Sequence, residues 1–375
     1  MGGGLGPTVR VETPAAGHRI ETMNPEEQRP SHAGRPFAPP RTPMEAVTRT
    51  EPPAPPGWAY EPKWDGFRAL AWSGGPPRLD SRNGKPLLRY FIELEPALAA
   101  LPAGTVVDGE VVVVQDGVLS FDLLQNRIHP AESRIRRLAL ETPAQLVVFD
   151  LLALKGEDLR GLPFRQRRAG LESLAAKLDE PWHLTPSTTD IETARRWFVE
   201  FEAAGCDGIV AKALDRPYIE GKREMVKVKH RRTVHVVIGG YRIQAEGDQV
   251  GSLLLGLYDE QGALHFVGHT SSFSDHEARA LLPLLEELRS HESFGAAARR
   301  PGVESRWTGD RDLTWQAIRP ELVAEVSYDQ LTGGRFRHAT RLERRRPDKD
   351  PRDCTLDQLE RPSGFDFFDV VSAAH

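Results

Sequence analysis

Cysteine is nearly missing from this chain. The 375 residues hold two, Cys206 and Cys354, far apart, in no CxxC pair and in no Cys/His cluster with zinc-ligand spacing. Neither a disulfide framework nor a structural zinc organises such a fold, and two free thiols in a reducing compartment are expected. Long apolar runs are also lacking: none approaches the ~20 residues that a spanning helix needs. The N-terminal "MGGGLGPTVRVETPAAGHRIETMNPEEQRP" has no apolar core of signal-peptide type, so a cytoplasmic protein is expected. Charge of one sign is not in excess. The formal net charge is -5, which by itself does not call for nucleic acid. Familiar chemical signatures fail as well. "GGGLG" precedes no βαβ unit, and "NGKP" and "EGKR" lack phosphate-loop spacing. There is no metalloprotease helix motif, no defensible Ser/His/Asp order and no fixed-period repeat.

What is present is an ordinary soluble composition, 39% hydrophobic and 27% charged, at a length that suits two or three domains. The charge is unevenly placed. "GKREMVKVKHRR" (221–232) and "GRFRHATRLERRRPDK" (334–349) are strongly basic, and local patches rather than net charge attract phosphate within a Debye length. A solvated basic face explains them equally well at this point. Residues 1–42 are rich in Pro, Gly and charge and cannot bury enough apolar surface to offset ordering entropy, so a mobile tail is expected there, with 43–57 as an extended strap.

From Trp58 the pattern turns globular. "TVVDGEVVVVQDG" (105–117) reads as a β-branched buried strand ending at an Asp-Gly turn, and "AQLVVFDLLAL" (144–154) as a second. Residues 163–178 form a helix with Pro163 at its first position. A second helix over 188–205 has a Thr189/Glu192 capping box, an apolar face of Ile191, Ala194, Phe198 and Phe201, and Gly205 as its stop. With strands at 206–214 and 223–230, the first domain (43–231) is α+β with much antiparallel sheet. Beyond Arg231–Thr233 come short strands at 234–243, 251–259, 263–270 and 320–331, with a helix over 274–291 capped by Ser274 and Glu277. Short strands around one helix predict a small all-β barrel of OB type over 232–361, then a C-terminal tail over 362–375.

The chemistry sits in an ordered set: "KWDGFR" (63–68), "SRNGK" (81–85), "DGE" (108–110), "VFD" (148–150), "DGIVAK" (207–212), "VKVK" (226–229) and "RRRPDK" (344–349). Singly, each has an ordinary structural explanation. A lysine beside a turn is commonly a surface lysine, alternating "KVK" is commonly an edge strand, and Phe149 in a Val-rich strand is commonly core.

Together they resemble the covalent nucleotidyltransferases: ATP-dependent DNA ligases, RNA ligases and mRNA capping enzymes. "YEPKWDGFR", "SRNGKPLLRYF", "LQNRIHPAESR", "FDLLAL", "GSLLLGLY" and "RPDKDPRDC" are most similar to compact stand-alone bacterial ATP-dependent DNA ligases and to the ligase module of bacterial end-joining ligases, over about residues 43–361. The resemblance implies an adenylation domain followed by an OB-fold domain, and a ligase that seals 5′-phosphate/3′-hydroxyl nicks through a lysyl-AMP and an adenylated DNA, with ATP as AMP donor and Mg²⁺ or Mn²⁺.

It also implies roles. Lys63 takes the AMP, and Lys227 and Lys229 stand beside it, hold the α-phosphate and lower its pKa by like charge. A free lysine amine, at pKa ~10.4, is less than ~1% neutral near pH 8, so such lowering helps. Glu61 reads the adenine amino group and Phe149 stacks on the ring. Arg68 meets the ribose and the nick 5′-phosphate, Arg82 lies near nucleotide and DNA backbone, and Arg223 is a further phosphate contact. Glu110 binds the ribose hydroxyl and assists metal binding. Asp207 is a metal ligand where many relatives carry Glu, one methylene longer. Arg346, Asp348 and Lys349 close over ATP and orient pyrophosphate, and the barrel swings about Arg231–Thr233.

An RNA ligase or a GTP-using capping enzyme is the alternative within the superfamily, and a non-catalytic OB-fold nucleic-acid-binding protein the alternative outside it. The expected partner is nicked double-stranded DNA, with a repair polymerase or a DNA end-binding protein assisting a monomeric, nucleoid-associated enzyme.

Overall fold

A computed structural model describes residues 1, 34–39, 41–244, 249–295, 301, 314–359 and 364–373. The first domain contains two sheets. One runs Glu45–Arg49, Arg223–Lys229, Gly208–Ala213, Trp58–Pro62, with the first pair parallel and the others antiparallel. The other runs Arg78–Ser81, Phe67–Trp72, Val106–Gln115, Ala144–Leu154, Glu157–Asp158, with Val118–Leu119 and Trp182–Leu184 as side pairings. Its two long central strands are Val-, Leu- and Ala-rich because both faces are covered, and Val107, Val111, Leu146 and Leu151 are buried between flanking helices and strands.

The chain crosses from the first sheet to the second through residues 63–66. The crossing is pinned on both sides: Lys63 N donates to Gly208 O (2.9 Å), and Asp207 N donates to Lys63 O (2.7 Å). Gly66 closes it. A Cβ there would press into the Val111 carbonyl and the Glu110 and Val112 side chains, so no larger residue fits between the sheets.

Beneath the second sheet lies an ion pair that is almost wholly dry. Arg167 grips Asp150 through Nε (2.8 Å) and Nη2 (3.0 Å), with both side chains at most 1% exposed. Removing one partner strands a buried charge. Arg167→Ala is therefore expected to lose roughly 3–5 kcal/mol of unfolding free energy in chemical denaturation; a loss below about 1 kcal/mol, the range of surface pairs, refutes this reading.

The second domain is an OB-fold built on a five-stranded antiparallel sheet, Leu264–Thr270, Val250–Tyr258, Arg232–Ile243, Gln316–Tyr328, Arg341–Arg345. The barrel is drawn together at its ends, where Thr340 N donates to His269 O (3.0 Å) and Leu342 N to Ser272 Oγ (2.7 Å). The helix Asp275–Glu287 starts from the expected Ser274/Glu277 capping box. Only His230 and Arg231 separate the last strand of the first domain from the first strand of the second.

Several expectations change. The helix Ile191–Glu200 is capped by Asp190, whose carboxylate accepts from the Glu192 and Thr193 amides, not by Thr189. Pro163 is the N-cap of Phe164–Ala175 rather than its first residue. Of the tail expected over 1–42, residues 2–33 and 40 lie outside the described residues, but 34–39 pack on the fold. Phe37 meets Trp72 edge-on at 5.6 Å and Arg35 donates to the Ser73 and Pro76 carbonyls. An aromatic that covers a fully buried tryptophan is core, whatever its neighbours in sequence. The expected C-terminal tail likewise carries a helix, Phe367–Ser372, that returns to the first domain. No helix among the described residues is long and apolar enough to cross a membrane.

Candidate active site

A cleft of about 1340 Å³ opens between the two sheets of the first domain. Eight of the residues named from sequence line it: Glu61, Lys63, Arg68, Arg82, Glu110, Phe149, Arg223 and Lys227. Asp207 and Lys229 lie directly behind, one carboxylate oxygen of Asp207 accepting from Lys63 Nζ at 2.6 Å and standing 3.3 Å from Lys229 Nζ. Thus residues spread from position 61 to 229 converge on Lys63.

The electrostatics differ from expectation at Lys63. Burial pulls its ammonium down, but the Asp207 carboxylate, helped by Glu110 and Asp65, more than offsets this and holds it above the ordinary lysine value. The lowering expected there falls on Lys227 instead, through burial and then the charges of Lys63 and Lys229. Asp207 is buried, yet the same lysines keep its carboxyl below the usual range. Glu110 is the counterpoint. It makes no hydrogen bond or close ion pair among the described residues, and burial, only partly offset by Lys63 and Arg68, pushes its carboxyl up to about 8.

Four residues that sequence reasoning left without a role organise the remainder: Lys212, Arg168, Asp108 and Tyr218. Lys212, the last residue of "DGIVAK", bridges Glu61 Oε2 and the Phe149 carbonyl, each at 2.7 Å, and sits 4.6 Å from the Phe149 ring centroid. Glu61 Oε1 accepts no hydrogen bond; Arg168 Nη1 approaches to 3.5 Å. Asp108 is a buried mid-strand residue and not a turn. It accepts from Arg68 Nε (3.0 Å) and Nη2 (2.6 Å), and from the Tyr218 hydroxyl (2.6 Å). The Arg68 fork is therefore fixed, 5.3 Å from the Phe149 ring, with Nη1 left for a ligand.

Arg346, Asp348 and Lys349 are not brought to the cleft. Arg346 is engaged by Asp348 (2.9 and 2.7 Å) and by His235 (2.6 Å) on the OB-fold. A different face of that domain touches the first. Arg337 forms a two-pronged pair with Asp65 (2.9 and 2.7 Å) and lies 3.6 Å over the Phe121 ring. Asp329 meets Lys229 at 3.3 Å.

A paired-lysine cleft joined to an OB-fold has close counterparts. Residues 42–229 match the ATP dependent DNA ligase domain, and residues 246–349 the ATP dependent DNA ligase C terminal region. The chain belongs to the ATP-dependent DNA ligases. It is 47% identical to DNA ligase C2 of Mycolicibacterium smegmatis, with 87% of this chain and 96% of that one aligned. It is 36% identical to the multifunctional non-homologous end joining DNA repair protein LigD of Mycobacterium tuberculosis over 78% of this chain, which spans 37% of that protein. A solved Lig E DNA ligase shares the fold at 15% identity, with a TM-score of 0.52 over 81% of this chain and 99% of that one. The ligase therefore has an adenylation domain, an OB-fold domain and an ATP-dependent sealing activity on DNA. No group of three or more His, Cys, Asp or Glu side chains among its described residues is arranged to hold an ion.

Proposed function

We propose that the ligase seals nicks from Lys63. Its Nζ lone pair attacks the α-phosphorus of ATP, the bond to pyrophosphate breaks, and the AMP then passes to the nick 5′-phosphate before the 3′-hydroxyl displaces it. The observation that carries this is the single cleft holding Lys63, Glu61, Arg68, Glu110 and Lys227 around one nucleophile. Glu61 Oε1 is the free acceptor for the adenine amino group, with Lys212 fixing its carboxylate, and Phe149 offers its face to the ring. Lys227 and Lys229 neutralise phosphate charge. Arg82 and Arg223, both on Glu45 at the cleft edge, give phosphate contacts on release.

The donor set fits Mg²⁺ or Mn²⁺. Glu110, whose carboxylate has no partner among the described residues, would give one hard-oxygen ligand, and Asp207, once it gave up its contact with Lys63, a second. Two carboxylates suffice where substrate phosphates complete the shell. The ion supplies Lewis-acid polarisation of phosphate. Asp207, if it served as a ligand, would no longer hold the Lys63 ammonium.

Closure by Arg346, Asp348 and Lys349 would need the OB-fold domain to rotate about His230–Arg231 rather than Arg231–Thr233, because Arg232 and Thr233 already belong to its first strand, and the rotation would break the Arg337–Asp65 pair. Arg337→Ala is expected to speed adenylation several-fold at unchanged KM for ATP if release of this contact limits closure; an unchanged or slower rate rejects that. A monomer acting in repair on nicked duplex, in the nucleoid, with a repair polymerase or end-binding protein as helper, completes the reading. The likeness to an end-joining repair protein supports the repair role. The test is direct. Incubation with α-labelled ATP and Mg²⁺ should give one AMP adduct, mapping by peptide mass to Lys63, and sealing of nicked DNA. GTP-driven labelling, or sealing of nicked RNA in preference to DNA, overturns it in favour of a capping enzyme or an RNA ligase.

A further inference from the structure

We infer that the C-terminal helix Phe367–Ser372 is a positioning element for the nucleophile, a brace under Lys63 and Asp207 supplied by residues beyond both matched domains. This rests on the assignment of Lys63 as nucleophile.

The helix is locked in place. Its capping box pairs Asp366 and Asp369 reciprocally (2.9 and 3.0 Å), and Phe367 N donates to Gly117 O at 2.6 Å. Gly117 holds φ +77°, and a Cβ there would strike Asp366, so the turn after the long Val-rich strand is shaped to receive this segment. Phe367 and Val370 are fully buried.

What they are buried against decides the role. The cluster contains Trp64 and Cys206, the neighbours in sequence of Lys63 and Asp207. Phe367 meets Trp64 edge-on at 5.7 Å and His183 at 5.1 Å, while the Trp64 indole N–H is fixed on Thr185 Oγ1 at 2.9 Å. The Trp64 ring packs into this cluster, while the residue also borders the cleft in which Lys63 reaches Asp207. Cys206 stands in the same relation to Asp207, and the two backbones are stitched by Asp207 N to Lys63 O. The helix thus seats the two segments whose spacing sets the 2.6 Å Lys63–Asp207 contact. Loss of the wedge lets both recoil, and displacement of about 1 Å at a reacting group costs on the order of 10²-fold in rate.

The experiment compares lysyl-AMP formation with sealing of a pre-adenylated nick, which does not use the Lys63 nucleophile. Full-length Phe367→Ala, Val370→Ala and Phe367→Leu are assayed well below their melting temperatures. Expected is a fall of roughly 10-fold or more in adenylation for Phe367→Ala and less for Phe367→Leu, which refills most of the volume. Sealing of the pre-adenylated nick stays within about 2-fold of wild type. Equal losses in both reactions, or adenylation unchanged while Lys63→Ala is inert, overturn the brace. An adduct persisting in Lys63→Ala instead overturns the nucleophile assignment, and the brace with it.

Discussion

Replacing Lys63 with alanine is expected to abolish the AMP adduct while leaving sealing of a pre-adenylated nick within about 10-fold of wild type, because only the first step needs the amine. Asp207 adds a pH signature. In the resting cleft it holds Lys63 as an ammonium, so adenylation should rise with pH across the neutral and alkaline range. The pair's contribution to stability has the opposite limits. It is fully present at neutral pH, fades on the alkaline side as Lys63 loses its proton, and fades on the acid side as Asp207 falls through its depressed value. Asp207→Asn removes the charge that favours the ammonium. The acid limb of the adenylation profile should then move to lower pH, even though its plateau drops with the loss of a metal ligand. An acid limb that stays in place shows that Asp207 does not govern the Lys63 proton. A plateau that stays in place shows that Asp207 is not a ligand.

The cleft residues were legible in sequence because each sits at a fixed offset inside a strand or turn whose pattern is local: Glu61 and Lys63 around the sheet crossing, Lys227 and Lys229 alternating on one strand. The OB-fold domain was legible for the same reason, short strands being separated by turn residues. What stayed hidden depends on pairing at a distance. Asp108 reads as a turn residue beside Gly109, and nothing local announces that Arg68 and, 110 positions on, Tyr218 bury themselves on it. Lys212 reads as a strand-end lysine until the adjacent strand supplies Glu61 as its partner. Phe37 lies in a Pro- and Gly-rich segment whose average composition conceals a single aromatic anchor, and in the short "FDFFDVV" run nothing local tells that Phe367 is buried while Phe365 and Phe368 stay exposed. The Lys63 proton was misjudged because the lysines beside it were counted and the Asp207 carboxylate was assigned to a metal. In the resting cleft the nearest opposite charge wins.

Glu110→Gln is expected to separate stability from function. With its folded pKa near 8 and an unfolded value near ~4.3, the Glu110 carboxyl binds its proton more tightly in the native state. Its stabilising contribution is complete below the unfolded value, declines as pH rises towards about 8, and is flat beyond. Glutamine titrates nowhere in that window. The ligand-free variant should therefore melt at a higher temperature than wild type at pH 8 to 9, with the gap closing towards pH 5. Divalent ion and ATP should invert the order. If Glu110 is a ligand, wild type would exchange its proton for the ion, so its thermal shift with Mg²⁺ and ATP should grow with pH through about 8, whereas the variant should gain little. Adenylation by the variant should fall on the order of 10–100-fold, the usual loss when a metal site is weakened. Melting curves that run parallel across pH, or an equal Mg²⁺-dependent shift in both proteins, mean that Glu110 is paired in solution and holds no ion. The trade is the one expected of a binding site: a half-buried carboxyl without a partner costs stability when ionised, and the same charge would favour a bound ion if Glu110 is a ligand.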